Sequence, residues 1–157
     1  MNQPLKAVEK PEHKFVFTVI PPEGCPSVWP IVHDMLLPAV ERADGRWTMR
    51  HLLGALCLGH QTLWVAYDNQ RKIVSALTTQ IVSYPNCKML AFQFLGGMDF
   101  DQWSDDMLLL LERYATGAGC DGIEAIARFG FWPMFKRHGY ARSYVTYEKL
   151  FTKRKMK

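Results

Sequence analysis

The sequence has 157 residues, of which 48% are hydrophobic and 22% charged, so it suits one globular domain and is too apolar to be disordered. No apolar run reaches about 18 residues, which argues against a transmembrane helix. The four cysteines lie about thirty residues apart without a C-x-x-C pair, which excludes paired zinc knuckles. The polar N-terminal stretch has no apolar signal core, so we expect a cytoplasmic protein with reduced thiols and no contact with a membrane.

The net charge of +4 is unevenly distributed along the chain. Residues 128–157 hold nine of the 19 lysines and arginines and one acid, whereas residues 1–127 hold ten bases and 14 acids. The tail "TKRKMK", residues 152–157, is the densest basic stretch. Two interpretations stay open: a solvated tail, or an anionic partner at the C-terminal end, which could be nucleic acid, a cofactor phosphate or an acidic protein surface.

The first half of the chain predicts a strand followed by two helices. Residues 1–13 are polar with two prolines, so we expect a flexible lead before a single domain over residues 14–151. "KFVFTVIP" alternates and is rich in β-branched and aromatic residues, which predicts a strand. Ser27 is a candidate N-cap for the first helix, and Thr48 for the second.

The second half predicts a meander and then alternating helices and strands. "QTLWVAY", "IVSALTTQIVSY" and "KMLAFQFL" are separated by turn sequences, so they predict three antiparallel strands. The clearest helix follows, with one apolar stripe made by Trp103, Met107, Leu110, Leu111 and Tyr114. "IEAIAR" comes after that helix and should lie parallel to "KMLAFQF". "FWPMFKRHG" predicts a short helix and "ARSYVTYEKLF" a last strand. The expected fold class is α/β (α+β), one domain with a mixed central sheet and the order β-α-α-β-β-β-α-β-α-β.

The stretch "AFQFLGGMDFDQW" carries the main functional question. It predicts a strand, two glycines and a helix start, which is where many α/β proteins hold a phosphate. Gly96 and Gly97 therefore have two interpretations, a cofactor loop or a sharp strand exit that needs positive φ. Asp99 and Asp101 are better explained as helix N-caps than as part of a metal site, so no metal is expected.

The order of elements resembles that of the GNAT N-acetyltransferase superfamily. The stretches that carry the resemblance are "KMLAFQFLGG", "DQWSDDMLLLLERYATGAGCDGIEAIAR" and "MFKRHGYARSYVTYEKL". The same stretches resemble, more narrowly, small GNAT-like proteins encoded by bacteriophages. The resemblance implies a GNAT-like fold and acetyl-CoA as cofactor. Carried over to this sequence, the cofactor would contact Phe94, Leu95, Gly96, Gly97 and Arg128.

Two departures from the family pattern bear on activity. The family's Gln/Arg-x-x-Gly-x-Gly/Ala loop is replaced by a loop in which the glycines come early and two carboxylates would repel a pyrophosphate: Gly96, Gly97, Met98, Asp99, Phe100 and Asp101. Phe135 stands where many members have a tyrosine that acts as general acid. We therefore expect acetyl-CoA binding to be weak or absent.

Three further side chains have a functional and a structural interpretation. Glu124 is a candidate catalytic base or a solvent-facing strand residue, and Tyr144 is a candidate replacement for the missing acid or a packing residue. Arg128 is a candidate ligand for a phosphate, or a cap for carbonyls exposed where two strands separate.

The sequence leaves two functions open. One is an acyl-CoA-dependent N-acyltransferase with a degenerate pyrophosphate loop. The other is a non-catalytic phage protein that uses the fold as an interaction module, in the virion or against a host protein in the host cytoplasm. The second function implies a protein partner from the phage or the host.

Overall fold

The structure is a computed structural model that describes residues 15–152. The predicted N-terminal lead at residues 1–13 and residues 153–157 of the predicted basic tail lie outside the described part. Within residues 15–152, no helix is both long enough and apolar enough to cross a membrane.

In the described part of the chain, five strands form one mixed sheet in the order β1-β2-β3-β4-β5. Their bounds are Val16–Ile20 (β1), Thr62–Tyr67 (β2), Ile73–Ser83 (β3), Lys88–Gly97 (β4) and Gly122–Ala125 (β5). The first four strands pair antiparallel, and β5 pairs parallel with β4, with Met89 opposite Gly122 and Phe92 opposite Ala125. The predicted meander and the predicted parallel pair are both confirmed.

Four helices of the described residues cover the two faces of the sheet. Their bounds are Cys25–Glu41 (α1), Met49–Cys57 (α2), Phe100–Gly117 (α3) and Trp132–Arg137 (α4), with short 3-10 turns at Pro22–Gly24 and Phe129–Phe131. Thr48 caps α2 as predicted, since its hydroxyl accepts a hydrogen bond of 3.2 Å from the His51 N–H. The Ser27 cap is wrong, because α1 begins earlier, at Cys25.

The core therefore has two parts, one on each face. Helices α1 and α2 pack on one face through fully buried side chains that include Leu36, Leu52 and Leu56. Helices α3 and α4 pack on the other face through Trp103, Leu108, Leu111 and Met134, among others. This three-layer arrangement is the expected α/β class.

The predicted last strand, "ARSYVTYEKLF", is not formed in the described part of the chain. Residues 141–150 have no regular secondary structure, and the side chains of Tyr144 and Tyr147 are largely exposed. Strand propensity is realised only along a neighbouring edge, and β5 offers just four residues before the chain leaves the sheet. Other contacts hold the segment instead: Glu148 pairs with Arg46, and Arg142 stacks over the Trp132 ring at 4.2 Å.

Candidate functional site

A bulge in β4 shapes the candidate site. Thr79 lies opposite Phe92 and Thr78 lies opposite Phe94, so Gln93 is one residue more than β3 can pair. The fully buried Thr78 hydroxyl accepts a hydrogen bond of 3.2 Å from the Phe94 N–H. Because an extra residue reverses the alternation of side chains, Phe92 packs in the α3–α4 layer and Phe94 in the α1–α2 layer.

The double glycine at the end of β4 is explained by packing. Both glycines still pair with β3, and a Cβ added to Gly96 would lie only 1.7 Å from the Met35 carbonyl oxygen in α1. Gly97 has φ +130°, and its added Cβ would lie 2.4 Å from the Val74 carbonyl oxygen. The strand exit with positive φ accounts for Gly97, whereas close packing against α1, which neither interpretation included, accounts for Gly96.

A cleft of about 520 Å3 opens where β4 and β5 separate. The parallel pairing ends at Phe92 and Ala125, yet β4 continues to Gly97 while the chain after β5 turns away. The gap is lined by the β4 stretch 92–95, the stretch 125–128, Phe131 with the α4 side chains Met134 and Phe135, and the residues Arg42, Ala43, Arg46 and Trp47 that follow α1, together with Ala39, Leu77 and Met107.

The lining combines aromatic walls with positive charge. Trp47 meets Phe94 edge to face at 5.8 Å between ring centroids, and Phe92 and Phe135 are 6.1 Å apart. Among the lining residues of the described chain, three are arginines and none is Asp, Glu, His, Tyr, Ser, Thr, Cys or Lys. The cleft is therefore cationic and contains no side chain suited to proton transfer.

The cleft has a different end on each side of the sheet. Arg42 and Arg46 mark the end beside α1, which we call the α1 mouth. Arg128 marks the opposite end, the α4 mouth, with its guanidinium 5.8 Å from the Phe131 ring centroid. Phe131 in turn packs on Phe100 at 5.3 Å, so the α4 mouth adjoins the start of α3. A ligand that fills the cleft can thus reach both faces of the sheet.

The acids at the start of α3 have partners that the sequence did not indicate. Asp99 occupies the N-cap position but is left-handed, with φ 59°, and its side chain makes no capping hydrogen bond, so its predicted role as a cap is wrong. Asp105 accepts hydrogen bonds from His138 at 2.7 Å and from Arg137 at 2.9 Å. Both hydrogen bonds lower the pKa of the Asp105 carboxyl, and the bond from His138 has the larger effect. The negative charge near the loop is therefore partly compensated.

The predicted catalytic residues lie apart from the lining of the cleft. Glu124, on β5, accepts a hydrogen bond of 2.7 Å from the Tyr84 hydroxyl, and this bond raises the pKa of Tyr84. Tyr144 is 85% exposed on the irregular segment 141–150. Neither side chain is among the lining residues.

The predicted cofactor contacts divide into two groups. Phe94, Leu95 and Arg128 all line the cleft, whereas Gly96 and Gly97 do not.

The position of the family's tyrosine is apolar here. Phe135 lines the cleft and packs against Tyr140 at 5.0 Å between ring centroids. The Tyr140 hydroxyl donates to Glu112 at 3.5 Å, and burial together with the Glu112 charge raises the pKa of Tyr140 well above its usual range. Tyr140 is thus a packing neighbour of the cleft, and its proton is held tightly.

Sequence patterns did not point to the residues at the α1 mouth. Arg42, Arg46 and Trp47 lie in the stretch "ERADGRW" before the Thr48 cap, which has the composition of a turn. The available signal was weak: two arginines four positions apart, beside an aromatic residue.

Within residues 15–152, no group of three or more His, Cys, Asp or Glu side chains is placed to hold a metal ion.

Several solved structures share this architecture. An aminoglycoside antibiotic 6'-N-acetyltransferase from Acinetobacter baumannii matches 88% of this chain and 99% of its own, with TM-score 0.62 and 15% identity. A predicted acetyltransferase from Clostridium acetobutylicum, solved with acetyl-CoA, matches 87% and 96%, with TM-score 0.61 and 12% identity. A GCN5-related N-acetyltransferase from Ralstonia eutropha matches 87% and 98%, with TM-score 0.62 and 12% identity. No protein-family model and no curated protein matches the sequence. The fold is that of the GNAT acetyltransferases, and the likeness at these identities concerns the fold alone.

Proposed function

We propose that the protein is an acyl-CoA-dependent N-acyltransferase in which the acyl group and the acceptor amine meet between β4 and β5. The observation that carries the proposal is the cleft itself. It opens at the end of the parallel pair, has the β4 backbone as its floor and passes from one face of the sheet to the other. Fold-sharing proteins include enzymes named as N-acetyltransferases and one solved with acetyl-CoA, which supports the same ligand here.

The β4 backbone at the floor of the cleft offers an N–H donor that points into the cleft. The N–H groups of Phe94 and Met98 both point toward β3, where they bond Thr78 and Val74. Since alternate residues of a strand direct their N–H groups to opposite edges, the Leu95 N–H points to the edge that β5 has left. A carbonyl oxygen lying in the cleft would meet that donor.

The residues of the cleft fit the acyl group and pantetheine arm of an acyl-CoA, but the loop after β4 does not fit its pyrophosphate. The apolar walls suit an acyl group and its pantetheine arm, and Arg128 at the α4 mouth suits a phosphate. The loop does not reproduce the family's pyrophosphate cradle, because Gly96 and Gly97 are used for packing and Asp99 follows at once. We therefore expect weaker binding than a complete cradle would provide.

The chain's contribution to the reaction would be positional and electrostatic. A bound acyl-CoA supplies a thioester whose C–S bond breaks as the amine forms its C–N bond. The Leu95 N–H would polarise the carbonyl, and the aromatic walls would limit the access of water. Because no lining side chain transfers protons, the amine would lose its proton to solvent, and the rate should rise with pH up to the amine's own pKa. Glu124 and Tyr144 remain the predicted base and acid. If Glu124 is the base, the pH–rate profile of the wild type should show an additional inflection that is absent from Glu124→Gln.

Calorimetry with acetyl-CoA on the full chain tests the proposal. Ala127 lines the cleft outside any helix or strand, so Ala127→Trp should fill the cleft and abolish binding. Ala141 is exposed and lies outside the lining, so Ala141→Trp is a matched control that should bind normally. Equal binding by both variants, or no binding by the wild type under any salt condition, would overturn the proposal.

A non-catalytic interaction module is the second candidate, and one observation favours it. Large apolar side chains, each between 83% and 91% exposed, follow β5 and α4: Ile126, Phe129, Tyr144, Tyr147 and Phe151. If these side chains form one contiguous patch, that patch has the character of a contact surface. With the resemblance to phage-encoded proteins, this candidate implies a phage or host protein partner, in the virion or the host cytoplasm. Its test is whether Phe129→Ser with Tyr147→Ser leaves acetyl-CoA binding intact but abolishes co-purification with a phage or host protein.

A further inference from the structure

We infer that the acceptor amine carries an anionic group, a carboxylate or a phosphate, which Arg42 and Arg46 bind at the α1 mouth. The inference rests on the proposed function of the same cleft and names the class of its second substrate. It is carried by the separation of charges between the two ends of the cleft.

The two mouths have distinct tasks if an acyl-CoA fills the α4 side. Arg128 lies beside the start of α3, which leaves Arg42 and Arg46 at the far end of the cleft, on the other face of the sheet. A ligand that enters from the α1 side would therefore meet two guanidinium groups before it reached the β4 floor. Guanidinium groups bind carboxylates and phosphates in a two-pronged geometry, which makes arginine suited to this task.

The chain itself provides a carboxylate for one of these arginines. Arg46 forms an ion pair with Glu148, which lies on the irregular segment 141–150. The pair is partly solvent-accessible, with 45% of the Arg46 side chain and 32% of the Glu148 side chain exposed. An incoming anion would compete with Glu148 for Arg46, so removing the Glu148 charge should strengthen binding of the ligand.

The absence of acids from the lining gives the site its selectivity. The described lining residues include three arginines and no carboxylate, and Glu148 pairs with one of them, so an acceptor with several positive charges would meet more positive than negative charge. An acceptor with one amine and one anionic group could place the anion at the arginines and direct the amine to the cleft floor. The Trp47 indole also lines the cleft and packs on Phe94 of the cleft floor, so its N–H is a probe for a ligand bound there.

Three small amines of similar length provide the test. β-Alanine carries a carboxylate, O-phosphoethanolamine a phosphate, and ethanolamine a neutral hydroxyl. Each is titrated into the full-length protein without acetyl-CoA, and the Trp47 indole N–H is followed by 1H–15N NMR. We expect saturable shifts with one or both anionic amines and none with ethanolamine, and the stronger of the two anions identifies the group.

Matched variants locate the site. Arg42→Gln and Arg46→Gln should each weaken the anionic amine about tenfold, as expected for a lost charge-assisted hydrogen bond. Glu148→Gln should strengthen it several-fold. Arg50 is exposed on α2 outside the lining, so Arg50→Gln should leave the affinity unchanged.

The outcomes separate this inference from the proposed function. Ethanolamine binding as tightly as the anionic amines, no binding by either anion, or no effect of Arg42→Gln and Arg46→Gln would each overturn the anionic acceptor. If the protein binds acetyl-CoA and acetylates ethanolamine as fast as β-alanine, the anionic acceptor is also overturned, but the transferase activity stands. Anion binding at Trp47 without any acetyl-CoA binding would support the anion site and overturn the transferase.

Discussion

Replacing Gly96 with alanine tests whether the double glycine serves the fold or a ligand. The added Cβ would lie 1.7 Å from the Met35 carbonyl oxygen and 2.6 Å from the Met35 carbonyl carbon. Both atoms belong to the backbone of α1, so no change of side-chain rotamer can relieve the overlap. Ordinary contact begins at 3.4 Å, so relief through the oxygen alone requires a movement of 3.4 − 1.7 = 1.7 Å.

A movement of that size would disturb the core between α1 and the sheet. Val32, Leu36 and Val40 on α1 are 0%, 0% and 3% exposed, and each would lose close contacts. Overpacking of a core costs typically 1–3 kcal/mol, and a clash with main chain belongs at the upper end, so we expect a loss of about 3 kcal/mol. For a chain of this size, the melting temperature should fall by roughly 6–12 °C.

Thermal unfolding followed by circular dichroism measures the effect, with Gly54→Ala as the control. Gly54 lies in α2, and nothing would come within 4 Å of its added Cβ. An alanine there should stabilise the protein by about 0.5–1 kcal/mol, because it favours the helix and restricts the unfolded chain. A Gly96→Ala protein that melts like the wild type but no longer binds acetyl-CoA would refute the packing explanation and assign the glycine to the ligand.

Three further outcomes follow from the contacts around the cleft. Replacing both Asp99 and Asp101 with asparagine removes two charges near the start of α3, so acetyl-CoA affinity in calorimetry should rise about fivefold for each kcal/mol of repulsion removed; an unchanged affinity at low salt would count against that repulsion. Thr78→Val removes the acceptor for the Phe94 N–H inside the core, so urea unfolding should show a loss of about 1–3 kcal/mol, and an unchanged midpoint would contradict the role of this bond. Because the pKa of Asp105 is lowered in the folded protein, its ionised carboxyl contributes stability above the ordinary carboxyl pKa of about 3.9, and this contribution is lost as the pH falls below that value. Asp105→Asn should therefore make the free energy of unfolding fall slightly less steeply at acid pH. Curves of unfolding free energy against pH that run parallel for wild type and variant would show that the contacts of Asp105 with His138 and Arg137 add no stability.

Much of the fold could be predicted because local signals and chain connectivity agree. The turns "DNQRK" and "PNC" separate apolar alternating runs, and hairpins of that kind leave one arrangement for β2, β3 and β4. The helix α3 then returns the chain to the same end of the sheet, so β5 has to run parallel to β4. The Thr48 cap was predictable because a hydroxyl directly before a periodic apolar run favours an N-cap, although the same signal failed at Ser27, where α1 begins at Cys25.

Other features could not be predicted, because tertiary partners decide them. The alternation in residues 141–151 equals that of a formed strand, but no edge of matching length lies beside it. The bulge at Gln93 depends on a buried hydroxyl from β3, and no pattern within β4 announces it. Asp99 has a common N-cap identity but a left-handed backbone, because the tight exit from β4 fixes its conformation first.

The basic residues of the C-terminal part have separate structural roles that the charge count alone did not reveal. Its arginines within residues 128–152 are placed at separate sites: Arg128 at the α4 mouth, Arg137 on Asp105, and Arg142 over Trp132. Only the first of these adds charge to the cleft, where it joins the two arginines from the α1 side.

The acids that seemed to argue against an anionic ligand lie at the start of α3, and one of them is already bonded to two bases. Electrostatics therefore opposes a pyrophosphate only at the loop, whereas the cleft favours anions at both ends. A ligand with negative charge at each end and an apolar middle matches that distribution better than a cationic one, and its affinity should fall as salt screens the exposed arginines.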